Sequence, residues 1–500
     1  MGRDHRNLVG SGVPGLPRCL PSWVALLAGL CLALPAQAAA PLPLPGVVDA
    51  DVSGPSTAAE LRAILLGVPG KPVATGLVVD LASGTVIVDV DAGRVVYPAS
   101  VEKAFTTAAV LRSLPHDRRL VTAVRGVPDA RGKVPVLALV GGGDPTMTAA
   151  DWSRLADATT KAGVKSVTRL LVDATLFDDA SPRGFDEKST DAAYRAPVGA
   201  LTCDAATLQV TVRPGLAGAP PSVTVTPDAG DAISVRNEAL TVKKGRSSLA
   251  VVARPRGRRT EVVVTGRMPR SQKIVGTGRR RVTDASYFAA GVFRALLEKR
   301  GVHVEGSTAF QRAPADLALL AQHSSPTLLE IVRTTNKSSH NGYAETLYKL
   351  TAALRGQVPA TAERAEAAVR QALDGLAVRW AGVQLGNGSG LYHASKVTCE
   401  AVVDLVRTME HDPAGPAWRA SLAVGGIDGT LRGRLHHPAT RGRVHAKTGT
   451  LDDVVGLAGM ATATDGRAYA FALFYNGVRA APGAYRAAHD KLLRRLLGGL

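Results

Sequence analysis

At 500 residues the chain is too long for a single core, and at roughly 100 to 200 residues per domain it has room for two to four. With 46% hydrophobic and 20% charged residues, and no heptad pattern or long polar tract, it is neither disordered nor fibrous. A formal charge of +18 favours anionic surroundings, while 8 Phe, 4 Trp and 9 Tyr are too few for base-stacking platforms and leave Val, Leu and Ala to fill the interior.

Arg3, Arg6 and Arg18 precede an apolar run from Trp23 to Leu34 and the small-residue site Ala36-Gln37-Ala38, the layout of a secretory signal peptide over residues 1–38. The run is too short for the roughly twenty residues of a membrane span, and Leu30 before Cys31 argues against a lipoprotein. The expectation is an exported protein: periplasmic, cell-wall associated or extracellular. Export removes Cys19 and Cys31, so Cys203 and Cys399 meet an oxidising space either as one disulfide or as two buried thiols. The exported chain keeps a net charge near +16.

Gly76 to Asp80 and Gly84 to Val90 read as a hairpin, followed by a helix from Val101 to Leu114 that Pro115 stops. From about residue 122 the pattern predicts short alternating strands, such as Val136 to Val140 before the turn Gly141 to Pro145, and reads as inserted material. Residues 205–281, with Val-rich runs at Leu208 to Val212, Val223 to Val225 and Val262 to Thr265, predict a small all-β module. Within it, residues 241–281 hold thirteen Lys or Arg against Glu261 alone. A solvated strand face accounts for such a cluster. For an exported chain its functional partner is an acidic wall polymer or lipid head groups rather than nucleic acid.

Helices resume at Tyr287 to Lys299 and from Leu328 to Asp374. Strands at Val454 to Ala463 and Ala468 to Tyr475 and a helix around Ala487 to Leu497 close the chain. Strands at both ends enclosing helices imply one discontinuous domain. No CxxC or HExxH spacing occurs and His436-His437 reads as a surface loop, so no metal is expected.

Three short motifs carry chemistry. Ser100-Val101-Glu102-Lys103 sets a hydroxyl and an amine on one face of a helix start, where the amine serves as base if burial or a second cation lowers its pKa. The helix N-terminus there favours an oxyanion. Ser339-His340-Asn341 lies in a polar stretch from Asn336 that reads as a loop, with Ser339 a candidate proton relay and Asn341 a substrate-binding amide. Lys447-Thr448-Gly449-Thr450 joins a cation, a hydroxyl and a bare backbone at a strand edge suited to an extended peptide.

In this order, Ser-x-x-Lys, Ser-x-Asn and Lys-Thr-Gly resemble the serine penicillin-recognising enzymes. With Pro98-Ala99-Ser100, the turn Leu139 to Thr146, Ala196 to Leu201, Gly388 to Leu391 and Asp428 to Leu431, the chain is similar to the class C low-molecular-mass penicillin-binding proteins, the D-alanyl-D-alanine carboxypeptidase/endopeptidases. The 235 residues between Lys103 and Ser339 match that family's inserted domains.

The resemblance implies an α+β multi-domain chain: a transpeptidase/β-lactamase-like domain (39–121 plus 322–500), an antiparallel sheet with helices on both sides, interrupted by an inserted domain (122–204 plus 282–321) in which a small basic β domain (205–281) is nested. It further implies Ser100 as acylated nucleophile, Lys103 as base, Ser339 as relay to the departing D-alanine, Asn341 as a donor-peptide contact and Lys447 with Thr448 as carboxylate site. Backbone N–H groups of Ser100 and Thr450 would form the oxyanion hole, beside Gly449. Peptidoglycan stem peptides and β-lactams are the implied partners, with anionic wall polymers for segment 241–281, and no cofactor is required.

Asn387 stands where the family commonly has Asp, Tyr392 replaces a small Ser, and His340 is unusual, either a group titrating between pH 5 and 8 or a solvent-facing side chain. The competing functions are a β-lactamase or esterase of the same chemistry, against which no Glu-based deacylation motif is apparent, and a non-catalytic wall-binding protein, against which the intact motifs argue.

Overall fold

The apolar runs from the two ends of the chain pair with each other. In the computed structural model, which describes residues 58–498, strand Val73–Asp80 lies antiparallel between Val86–Val90 and Ala468–Asn476. The sheet continues through Val454–Thr462 and Val444–Thr450 to the short edge strand Ala423–Val424. The signal-peptide reading of residues 1–38 lies outside the described residues.

The two strands at 454–476 are buried on both faces, which explains their unbroken apolar sequence: each face is covered by helices. On one side Ala58–Leu66 and Pro482–Leu496 bury Leu61, Leu65, Tyr485, Leu492 and Leu493. On the other, Lys103–Ser113, Leu328–Lys337, Asn341–Ala353 and Cys399–His411 pack Phe105, Ile331, Leu347 and Val402 into the largest core. This is the expected α+β architecture, an antiparallel sheet between helices with further sheets inserted.

The first added sheet is mixed. Lys133–Val140 and Ser166–Asp173 run parallel, connected by helix Ala149–Lys161, and Arg119–Arg125 and Leu319–Thr327 extend the sheet antiparallel. The expectation of strands alone in this stretch is corrected by that helix. Its buried Trp152, Leu155, Ala156 and Thr159 recur at helical spacing, and Thr148 with Asp151 forms a capping box at its start. Cys399–His411 was likewise not anticipated, although Thr398 caps it. Residues 207–281 form only short strands and single turns, in three small sheets.

Cys203 and Cys399 are free thiols in two different cores, which answers the disulfide question: they do not pair. Cys399 Sγ lies 3.3 Å from Thr75 Oγ1, and burial pushes its thiol up to about 12, so it stays protonated and unreactive. Among the described residues no helix is long and apolar enough to cross a membrane.

Candidate active site

Pro98 turns the chain into a short 3-10 segment, Ala99–Glu102, that runs directly into helix Lys103–Ser113. Ala99 takes φ 46°, a left-handed conformation costing a side-chain-bearing residue about 1 to 3 kcal/mol. Two glycines permit it by close approach. A Cβ on Gly390 would collide with the Ala99 carbonyl, and one on Gly449 would lie 2.7 Å from the Pro98 carbonyl and 3.3 Å from Ser100 N.

Ser100 and Lys103 meet as their spacing predicts. Lys103 is wholly buried, and its Nζ donates to Ser100 Oγ and Asn341 Oδ1, both at 2.8 Å, and to the Ser389 carbonyl at 2.7 Å. Burial pulls this amine down to about 7, against the nearby Glu345 and Glu102, which raise it. Of the two causes expected from sequence, burial is the one that acts on Lys103. Glu102 is itself wholly buried, and desolvation pushes its carboxyl well up, towards the neutral acid. Glu345 accepts the N–H groups of Gly388 and Ser389, both at 2.9 Å, and so fixes the Ser389 carbonyl that receives Lys103.

The stretch from Asn336 is not a loop. Asn336 and Lys337 finish helix Leu328–Lys337, and only Ser338, Ser339 and His340 link it to helix Asn341–Ala353. Asn336 is buried there, donating to Thr107 Oγ1 at 3.1 Å and Ser421 Oγ at 2.8 Å. Ser339 sits at φ 57° and its Oγ accepts from Lys447 Nζ at 2.9 Å. His340 fits neither sequence expectation. It caps the second helix, its Nδ1 accepting from Tyr343 N at 3.3 Å, and its ring packs tilted by 36° against Tyr343 with centroids 4.2 Å apart. Burial and the Lys103 charge push it down to about 4, so it is neutral between pH 5 and 8.

Lys447 is wholly buried on strand Val444–Thr450, and desolvation with repulsion from Lys103 holds its pKa well below the ordinary lysine value. The edge strand Ala423–Val424 pairs only with Ala446 and His445, leaving residues 447–450 as an open strand edge. Thr448 Oγ1 donates to Thr430 Oγ1 at 2.8 Å, which gives the Asp428 to Leu431 turn a role at this edge. Leu451 N–H bonds the Val454 carbonyl at 2.9 Å, so by antiparallel alternation Thr450 N–H points the other way, out of the sheet.

All eight sequence-predicted site residues therefore converge on one place, where a cleft of about 550 Å³ is lined by Ser100, Asn341 and Thr450. The sequence reading missed the rest of its wall. The Tyr194 carbonyl accepts from Asn341 Nδ2 at 3.0 Å, on a turn anchored by Arg195, which donates to the Phe185 and Thr190 carbonyls. Glu187, Lys188, Asp452 and Asp453 also line the cleft. No local pattern marks these residues. Glu345 was findable, four residues from Asn341 and so on the same helix face. Asn387 is buried; its Oδ1 accepts from Gly390 N at 2.7 Å, while Nδ2 donates to the Arg183 carbonyl at 2.9 Å and the Leu391 carbonyl at 3.1 Å. An ionised Asp has no hydrogen for the last two bonds. Tyr392, at φ 60°, brings its ring within 5.6 Å of Lys188 Nζ at the cleft wall.

The sequence model of the D-Ala-D-Ala carboxypeptidase 3 (S13) family matches residues 58–496. A D-alanyl-D-alanine carboxypeptidase from an Actinomadura species is 36% identical over 456 residues, covering 86% of this chain and 83% of that protein. Among solved structures, penicillin binding protein 4 from Haemophilus influenzae superposes with a TM-score of 0.78 at 21% identity, covering 88% of this chain and 99% of that one. The same protein complexed with a β-lactam gives 0.73 at 22%, covering 87% and 99%.

Proposed function

The chain belongs to the D-Ala-D-Ala carboxypeptidase 3 (S13) family and is a serine-type carboxypeptidase, and from that premise we propose that Ser100 carries the acyl group of peptidoglycan stem peptides and is acylated likewise by β-lactams. The observation carrying this reading is the 2.8 Å contact between Ser100 Oγ and a wholly buried Lys103 whose pKa lies near 7. An amine so poised is half unprotonated at neutral pH and can take the hydroxyl proton, a contribution of about 10²- to 10⁴-fold for general-base catalysis.

In the forward step Ser100 Oγ gives its proton to Lys103 Nζ and bonds the carbonyl carbon of the penultimate D-alanine. The developing oxyanion faces the N–H groups of Ser100 and Thr450, which the close approach of Gly449 brings together. As the peptide bond breaks, a proton passes through Ser339 to the departing D-alanine amine. Lys447 and Thr448 bind the terminal carboxylate, whose negative charge restores the ammonium form of a lysine that burial disfavours. Asn341 holds the donor peptide with its remaining amide hydrogen. Water then attacks the ester, returning a proton to Ser100 and freeing the shortened peptide. Cleavage of cross-links uses the same acyl donor and is part of the proposal.

Export by the segment 1–38 is part of the reading, as is the domain division 39–121 plus 322–500, 122–204 plus 282–321 and 205–281. The pairing of Val73–Asp80 with Ala468–Asn476 supports the first of these units. The test is intact mass after incubation with benzylpenicillin, beside D-alanine release from a peptide ending in D-Ala-D-Ala. A stoichiometric adduct on wild type that is absent from Ser100→Ala is expected. An adduct surviving in Ser100→Ala, or neither adduct nor D-alanine from wild type, sinks the proposal.

A further inference from the structure

The basic stretch of the inserted module divides in two. Arg236, Arg254 and Arg256 gather round Glu261, while Arg258, Arg279 and Arg280 meet Asp284, Asp204 and Asp191. These side chains are engaged in ion pairs within the protein, three of them sharing the single Glu261 carboxylate. Lys243, Lys244, Arg246, Arg267, Arg270 and Lys273 are all exposed, and the stretches 211–227, 239–260 and 262–283 that surround them contain no Asp or Glu.

Strand pairing collects these free cations at one end of the module. Leu240–Val242 runs parallel to Arg267–Pro269 and Arg270 N–H bonds the Val242 carbonyl at 2.8 Å, so Lys243 leaves one strand where Arg270 leaves the other. The chain then turns at Gln272, and Val275 pairs with Val212, bringing Lys273 and Ile274 beside the end of strand Thr207–Arg213. The loop after Arg213 folds against strand Leu240–Val242, Gly218 N–H bonding the Thr241 carbonyl at 2.8 Å. Three large apolar side chains stand open there: Leu216 is 69% exposed, Ile274 48% and Leu240 39%.

We propose that this tip docks on the surface of a bilayer rich in anionic lipids. Hydrated Lys and Arg side chains are drawn to such a surface within a screening length, and neighbouring Leu and Ile side chains enter the boundary between head groups and acyl chains. A soluble polyanion accounts for the cations and leaves the exposed apolar residues without a function. The geometry suits a tether. Strand Thr207–Arg213 spans about 20 Å, with Thr207 paired to Arg281 close to the Tyr194 turn of the cleft and Arg213 at the tip. Docking therefore leaves the cleft open. The inference concerns where the enzyme works and stands apart from the catalytic reading.

The experiment is co-sedimentation of the protein with vesicles of phosphatidylcholine, alone or mixed with phosphatidylglycerol, at low and high salt. Binding only to the mixed vesicles, weakened by salt, is expected. Two double variants, Leu216→Ser with Ile274→Ser and Lys243→Gln with Arg270→Gln, each lose about tenfold in affinity while labelling with benzylpenicillin at the wild-type rate. Absence of vesicle binding overturns the proposal. So does binding that the apolar double variant leaves intact and inorganic polyphosphate displaces, for that identifies a charge-only contact with a polyanion.

Discussion

Positive charge is used in opposite ways at the two functional regions. In the cleft, Lys103 and Lys447 are wholly buried, and the oxygens that hold them are hydroxyls, an amide and backbone carbonyls rather than carboxylates. At the tip of the inserted module, Lys243, Lys244 and Lys273 stand in water. The chemistry follows from hydration. A desolvated ammonium loses its proton near neutral pH and becomes a base, while a solvated one keeps its charge and can only attract. The same side chain is thus a reagent in one place and a tether in the other, and what decides between them is the water around it.

Lys103→Met tests the buried half of that contrast most severely. It removes the base and replaces a buried amine by an apolar chain of similar length. Benzylpenicillin acylation should fall about 10²- to 10⁴-fold, with a modestly lower melting temperature, because the buried Ser389 carbonyl and Asn341 Oδ1 lose their donor. Wild-type labelling in this variant would erase the distinction between the two regions. The next largest effect is on pH. Lys103 binds a proton below about 7, and in its proposed role as base it acts only without that proton, so the acylation rate should rise about tenfold per pH unit up to 7 and level off above. His340, pushed down to about 4, is neutral throughout that range. His340→Asn should therefore leave the profile in place, and a displaced midpoint would show that the histidine shares the titration.

The site was legible where chemistry fixes residue types at fixed spacing. Ser100 with Lys103, Ser339 with Asn341, and Lys447 to Thr450 each need their neighbours in sequence, and the resemblance they carry led to the family and its α+β fold. What stayed hidden depends on partners distant in the chain. Nothing near Tyr194 signals that its carbonyl reaches Asn341 across 147 positions, and the helix spacing that points to Glu345 does not tell that it steadies Ser389, 44 positions on. The run from Asn336 read as a loop because it is polar; in the fold that polarity is spent on a buried bond network with Thr107 and Ser421. Helix Ala149–Lys161 was obscured by β-favouring neighbours on both sides. The basic stretch was visible as a count, but only strand pairing shows which cations are neutralised and which are free.

Asn387→Asp sharpens the comparison at the cleft's edge. The amide donates to the Arg183 and Leu391 carbonyls, and a carboxylate there leaves the buried Leu391 acceptor without this donor, at a cost of about 1 to 3 kcal/mol. A lower melting temperature is expected, with a raised KM for the D-Ala-D-Ala peptide, since the 183–188 segment that carries Glu187 and Lys188 loses one of its ties to the cleft. An unchanged melting temperature would mean that the family's usual Asp and this Asn are interchangeable.

The smallest effect concerns coupling between the two regions. If the tip only tethers, its cations must not tune Lys103. With a strand of about 20 Å between them and a screening length near 8 Å at physiological ionic strength, Lys243→Gln with Arg270→Gln should leave the pH midpoint of acylation unmoved. At about 0.01 M salt the screening length grows to roughly 30 Å and the two regions come within range of each other. Removing two cations then eases the repulsion on a protonated Lys103, so its midpoint should move slightly upward in the double variant. A shift of equal size at both salt concentrations would mean that the tip acts on the cleft through structure rather than through its field.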